Sequence, residues 1–254
     1  MILLHRISSV AAGVLVALGF CAIFFDWLNP IFAIVLTMVL LSLVLSRLIG
    51  GSVKTFQFWH LLGTPALFVL SGFGAMLLLE SAAIKIVLAV LVTALLVLFV
   101  EHVFSYIHLP VNYQPFTLEY LSQLLHILSI FFISTLGFGM SLFLHTPLWL
   151  LSPIFFCILL FIVYGTLWAG KIEAARARPY AFAGAVLTTE MFMALSFLPT
   201  GFYSNAAFLA LGAYVFLGLS RAHALHKLST EVLKRYSILF FVLTLIIAAT
   251  SQWI

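Results

Sequence analysis

The sequence predicts an all-α, polytopic membrane protein, and three observations carry that prediction. The 254 residues are 65% hydrophobic and only 7% charged, whereas a soluble domain carries about 25% charged residues to face water. Mean hydropathy is +1.28. The apolar residues also form continuous runs, and stretches of roughly 18 or more read as transmembrane helices. A β-barrel is excluded, because its strands would show alternating segments of about ten residues. The chain is read as a single integral membrane domain.

Taken in order, nine spans are expected: residues 7–28, 30–46, 56–79, 82–104, 118–144, 148–169, 180–200, 202–220 and 236–253. The first follows a short basic start, as a signal peptide would. Its apolar run is too long, however, and ends in Phe24-Phe25-Asp26-Trp27 with no small-residue cleavage site. Turn chemistry separates the others, at Asn29-Pro30, Gly50-Gly51, Pro110 with Pro115, Thr146-Pro147 and Pro199-Thr200-Gly201. Residues 105–117 should form an aromatic, proline-containing inner loop. Residues 221–235, with Glu231 and Arg235 four apart, should form a short interfacial helix. Thr64-Pro65 and Ser152-Pro153 are the two places where a span is expected to be interrupted.

Charge tests the span count independently. Ten of the eleven Lys and Arg fall on one side of this topology, and only Lys85 falls on the other. The positive-inside rule then gives a cytoplasmic N-terminus and a C-terminus ending at Trp253-Ile254 in the outer interfacial belt. A plasma (inner) membrane location is the expectation. The net charge of +4 reflects this topology and contact with anionic lipid rather than nucleic-acid binding. Cys21 and Cys157 lie inside apolar runs and read as packing residues.

Gly-Phe occurs four times, at residues 19–20, 72–73, 137–138 and 201–202, always toward the outer end of an odd-numbered span. Eleven or twelve residues inward of the last three glycines lie His60, His126 and Glu190, whereas the first copy has Ser8. Tandem hairpins over 1–50, 55–109, 118–172 and 180–228, with a ninth helix at 236–253, would explain the pattern by duplication. Close helix packing at small residues would explain it equally well.

Glu190 is the leading site candidate. It lies ten residues from either end of its expected span, about 15 Å at the helical rise. A charge at that depth costs roughly 2.5–3.5 kcal/mol on insertion scales, so it should face a partner or a wet cavity. Such an acid suits proton relay or cation coordination. A protonated acid hydrogen-bonded to a neighbouring helix, beside Thr188 and Thr189, is the structural alternative. His60 and His126 are the next candidates. Glu119, Gln123 and His126 follow i, i+4, i+7 spacing, which gives the fifth helix a polar stripe at its inner half. Glu101 and His102 are adjacent and point about 100° apart, which favours an interfacial placement.

Donor atoms for a metal are present, but no ligand spacing accompanies them, and no cofactor motif is found. Nucleophile elbows, P-loops and dinucleotide fingerprints are missing too. The expected function is therefore a small-solute or ion carrier, proton-coupled through Glu190, His60 and His126, with Glu119 and Gln123 at an inner mouth. A non-catalytic scaffold or complex subunit is the second reading, and a lipid-modifying enzyme the third. Membrane lipids, with a small solute, ion or proton, are the expected partners.

Overall fold

The computed structural model describes residues 2–51, 53–110, 113, 114 and 116–251, with side chains from residue 7 onward. Pro115, the Arg6 side chain and the belt residues Trp253 and Ile254 lie outside the described residues. The described residues form α1 (Ile2–Phe24), α2 (Pro30–Ile49), α3 (Phe56–Leu78), α4 (Ala82–His108), α5 (Thr117–Phe143), α6 (Leu148–Ala169), α7 (Ala174–Leu195), α8 (Phe202–Ala224) and α9 (Thr230–Thr250). All except α7 are long and apolar enough to cross a membrane. The chain is a multi-span helical membrane protein. "Inner" below denotes the ends that carry the lysines and arginines.

Local chemistry sets many of the boundaries. Asn29 caps α2, its Oδ1 accepting the Ile31 N–H at 3.0 Å, and Pro30 takes the first helical position. Gly50 and Gly51 end that helix with φ of 57° and 77°, backbone angles that glycine adopts without steric cost. Thr55 and Ser229 hydroxyls accept backbone N–H groups at the starts of α3 and α9. Neither expected interruption breaks its helix. Pro65 lies inside α3 and Pro153 inside α6. Neighbouring helices and Ser/Thr side chains make such prolines tolerable in membranes. Ser152 Oγ, for example, donates to Leu148 O at 2.7 Å.

Two compact units make up the chain, residues 1–125 and 126–254. In the first, α1 packs on both α2 and α4. Ser9 meets Glu101, and the bare Cα of Gly13 meets Val97, so α1 and α4 run antiparallel. α1 and α3 run parallel and interlock through their Gly-Phe pairs. Phe20 and Phe73 stack at 4.3 Å, and a Cβ on Gly19 would lie 2.9 Å from the Phe73 ring. A Cβ on Gly72 would in turn meet Phe20 at 3.6 Å.

In the second unit α7 lies along α6 over its whole length. Val163 and Leu167 cluster with Ala177 and Ala181 at one end, and Phe155 stacks on Phe192 at the other. Up to Thr189 the buried positions of α7 are Ala177, Ala181, Gly184, Ala185, Thr188 and Thr189, small residues that allow close approach, and Phe192 follows them. α7 therefore reaches the same depth as α6, although Arg176 and Arg178 in its first two turns lower its hydropathy. It begins six residues before the expected start at residue 180 and ends at Leu195, five before the expected end. Residues 225–229 are a short turn between α8 and α9, so the expected interfacial helix over 221–235 is replaced by the ends of two long helices. α4 likewise extends to His108, shortening the expected inner loop to residues 109–116.

Candidate functional site

Among the described residues α5 buries more polar side chains than any other helix. Ser122, His126, Ser129, Ser134 and Thr135 are all buried, and Glu119 and Gln123 are half-buried at its inner end. Glu119, Ser122, His126 and Ser129 follow steps of three, four and three, so they share one face of the helix. Ser122 Oγ is buried and has no hydrogen-bond partner among the described residues. Tyr113 holds the start of this helix, its hydroxyl oxygen accepting the Leu118 N–H at 3.1 Å. Burial raises the Tyr113 phenol above its ordinary pKa. The Leu118 hydrogen bond opposes this shift, and the neighbouring Glu119 adds to it.

His126 has a defined partner across 40 residues of chain. Its Nδ1 lies 2.7 Å from Thr166 Oγ1 on α6. Thr166 spends its one hydroxyl proton on Ile162 O at 2.9 Å. A threonine hydroxyl has a single donor, so Thr166 must accept from His126, which puts the imidazole proton on Nδ1. Nε2 is then the basic nitrogen. The tautomer thus follows from the helix's own hydrogen bonds, because the partner of one ring nitrogen decides which nitrogen carries the proton.

His60 is buried in the first unit, with Nδ1 at 3.4 Å from Thr64 Oγ1 one turn along α3. Phe56 stacks on its ring at 6.1 Å. Glu119 and Gln123 belong to this unit, and His126 and Glu190 belong to the other.

Glu190 is placed differently from the expectation. Thr188 and Thr189 are buried and bond back to Gly184 O and Ala185 O of their own helix. Glu190, one step further round α7, is exposed together with Leu187, Met193 and Ala194. With α7 ending at Leu195, Glu190 lies five residues, about 7–8 Å, from the outer end rather than at the middle. Phe192 packs on Gly137 and Phe138. The Glu190 turn is therefore roughly 14 Å further out than His126. These two candidates are not neighbours.

Several polar contacts carried no clear signal in the sequence. Ser9 Oγ donates to Glu101 Oε2 at 2.9 Å, so Glu101 faces α1. His108 Nε2 lies 3.2 Å from Leu48 O and serves a carbonyl in the last turn of α2. Asn205 and Thr200 bond each other across the turn into α8. At the inner end of the second unit, Tyr180 hydrogen-bonds His223, and Arg176 reaches His226 at 3.0 Å. All but the Thr200–Asn205 pair join residues more than 40 apart, beyond the reach of local spacing.

Among the described residues no three His, Cys, Asp or Glu side chains gather as metal ligands would. An apolar cavity of about 510 Å³ lies at the outer end of the first unit, lined by Phe20, Cys21, Phe24, Met76, Lys85 and Thr93 among others. No protein-family model matches this chain, and neither a curated protein nor a solved structure matches it.

Proposed function

We propose that the protein is a carrier of a small solute or ion, coupled to protons. The supporting observation is His126, a fully buried histidine whose tautomer leaves Nε2 as a base inside a membrane-spanning unit. Ionisable groups inside membrane spans are costly and rare, and they mark proton and solute pathways. In this reading His126 takes the proton in the second unit, His60 is a separate proton-binding group in the first, and Glu119 and Gln123 line the inner mouth. Glu190 remains a second proton-binding group, acting from the exposed face of α7.

Reconstituted vesicles given a pH jump provide the test. Wild-type protein should drive proton-linked solute flux, and His126→Gln should abolish the linkage. Thr166→Val, which removes the orienting oxygen at similar volume, should shift the pH at which flux is half-maximal. Glu190→Gln isolates the acid. Absence of any flux from folded wild-type protein would reject the carrier reading. A scaffold or subunit is the second reading, supported by α9, which buries no residue, and by the exposed Glu190 face.

A further inference from the structure

The inner ends of α8 and α9 enclose a cavity of about 390 Å³. Arg221 from α8, Lys227 from the connecting turn and Arg235 from α9 all line it, together with Tyr214 and Tyr236. Among the described residues no acid lines this cavity, and Glu231, four residues before Arg235, lies in the adjoining groove. Three cations around one small space repel one another, and the repulsion grows as water is excluded. An anion between them removes that cost and gains charge-assisted hydrogen bonds from two guanidinium groups.

The cavity continues into a second groove along α9, lined by Glu231, Lys234, Arg235, Ile238, Leu239, Val242 and Leu243. Arg235 and Leu239 belong to both. Along α9 the lining passes from charged at residues 231–235 to wholly apolar at 238–243. Those apolar positions lie roughly 5–12 Å deeper into the helix than Arg235. Tyr236 is seated at the junction because Gly218 has no side chain. A Cβ there would fall 2.2 Å from the phenol ring. Tyr214 flanks it, ring centroids 5.8 Å apart.

A cationic pocket at headgroup depth, opening onto an apolar groove that runs toward the bilayer centre, is complementary to an amphiphile with an anionic head. We propose that the α8–α9 cleft binds one anionic phospholipid. Its phosphate sits among Arg221, Lys227 and Arg235, and an acyl chain lies along Ile238, Leu239 and Val242. Basic clusters at the inner ends of membrane helices recognise anionic lipids through the same electrostatics. This site is independent of His126 and of the carrier reading.

Binding is measured on the purified full-length protein in detergent. A fluorescent short-chain phosphatidylglycerol serves as probe, and phosphatidylcholine or inorganic phosphate as competitor. Native mass spectrometry counts the bound lipid. One retained phosphatidylglycerol per chain is expected, not displaced by excess phosphatidylcholine. Arg235→Gln should weaken binding about fivefold, and Arg221→Gln with Arg235→Gln about thirtyfold. Arg178→Gln, an equal charge change elsewhere at the same end, should leave it unchanged. Arg235 is exposed, so its single variant stays informative if the Arg221 variant misfolds. Leu239→Trp should weaken phosphatidylglycerol while leaving any inorganic phosphate binding intact. Equal retention of phosphatidylcholine, or unchanged binding in the Arg235 variant, would overturn the proposal. Competition by inorganic phosphate as strong as that by the lipid would show a free-anion site and overturn the lipid assignment.

Discussion

The two units use the same device, and the place where they differ is instructive. In the first, Phe20 and Phe73 stack at 4.3 Å with planes 32° apart, linking α1 to α3. In the second, Phe138 and Phe192 stack at 4.6 Å, also at 32°, linking α5 to α7. Three of these four rings come from Gly-Phe pairs. The fourth does not: Phe192 follows Met191, while the Gly-Phe pair at residues 201–202 lies beyond the end of α7. Gly201 caps α8 in open space, and Phe202 meets Phe143 and Tyr203 instead. Counting inward from Phe192 by the thirteen residues that separate Phe73 from His60 reaches Pro179, not Glu190. The acid therefore does not occupy the place of the two histidines. The dipeptide marks a packing position, which explains three of its four occurrences without ancestry.

Substitutions can break this comparison in graded steps. Phe192→Ala should have the largest effect, about 3–4 kcal/mol, since the ring is fully buried between Phe138 and Phe155. Unfolding in mixed micelles by denaturant would reveal it, and Phe202→Ala should lose less than a third as much. If the two losses are equal, the assignment of Phe192 as the counterpart of Phe73 fails. Gly19→Ala comes next, at about 1–2 kcal/mol. Its Cβ would fall 2.4 Å from Thr37 Oγ1 and 2.9 Å from the buried Phe73 ring.

Gly137→Ala meets only the edge of Phe192, at 3.0 Å. Helix propensity offsets that contact, so a change under about 1 kcal/mol is expected. Gly201→Ala should cost only about 0.5 kcal/mol, since nothing lies within 4 Å of the added methyl and the loss is that of a better N-cap residue. Thermal melts of the three glycine variants should rank them in that order, and a silent Gly19→Ala would undo the interlocking account. Tyr113→Phe tests a feature outside both stacks. It removes the acceptor for Leu118 N–H, and about 1 kcal/mol of local stability should go with it. Faster hydrogen exchange confined to the first turn of α5 is the measurement.

Much of the fold was legible because membrane helices announce themselves by length and their turns by Asn-Pro, Gly-Gly and Thr-Pro pairs. The start of α7 was not, since Arg176, Arg178 and Pro179 look like loop chemistry. What extends the helix is tertiary: Ala177 and Ala181 fit closely against Val163 and Leu167. Burial of His126 was foreseeable from the stripe with Glu119 and Gln123, but its partner Thr166 was hidden by 40 intervening residues. The direction Glu190 faces was illegible for a different reason. Around Glu190 apolar residues lie on every side of the helix, so the faces have little contrast and one acid cannot report which face meets protein. The cationic cleft is illegible in the sequence because its three charges sit on two helices and a turn.

The Ser9–Glu101 contact has a consequence in time. Its partners are 92 residues apart, and chains are synthesised at about 5–20 residues per second, so α1 waits roughly 5–18 s for the helix that carries its acid. During that interval the first hairpin must persist in the membrane without α4. Once Glu101 enters, its carboxylate already has a hydroxyl to meet, and late arrival of α4 closes the first unit.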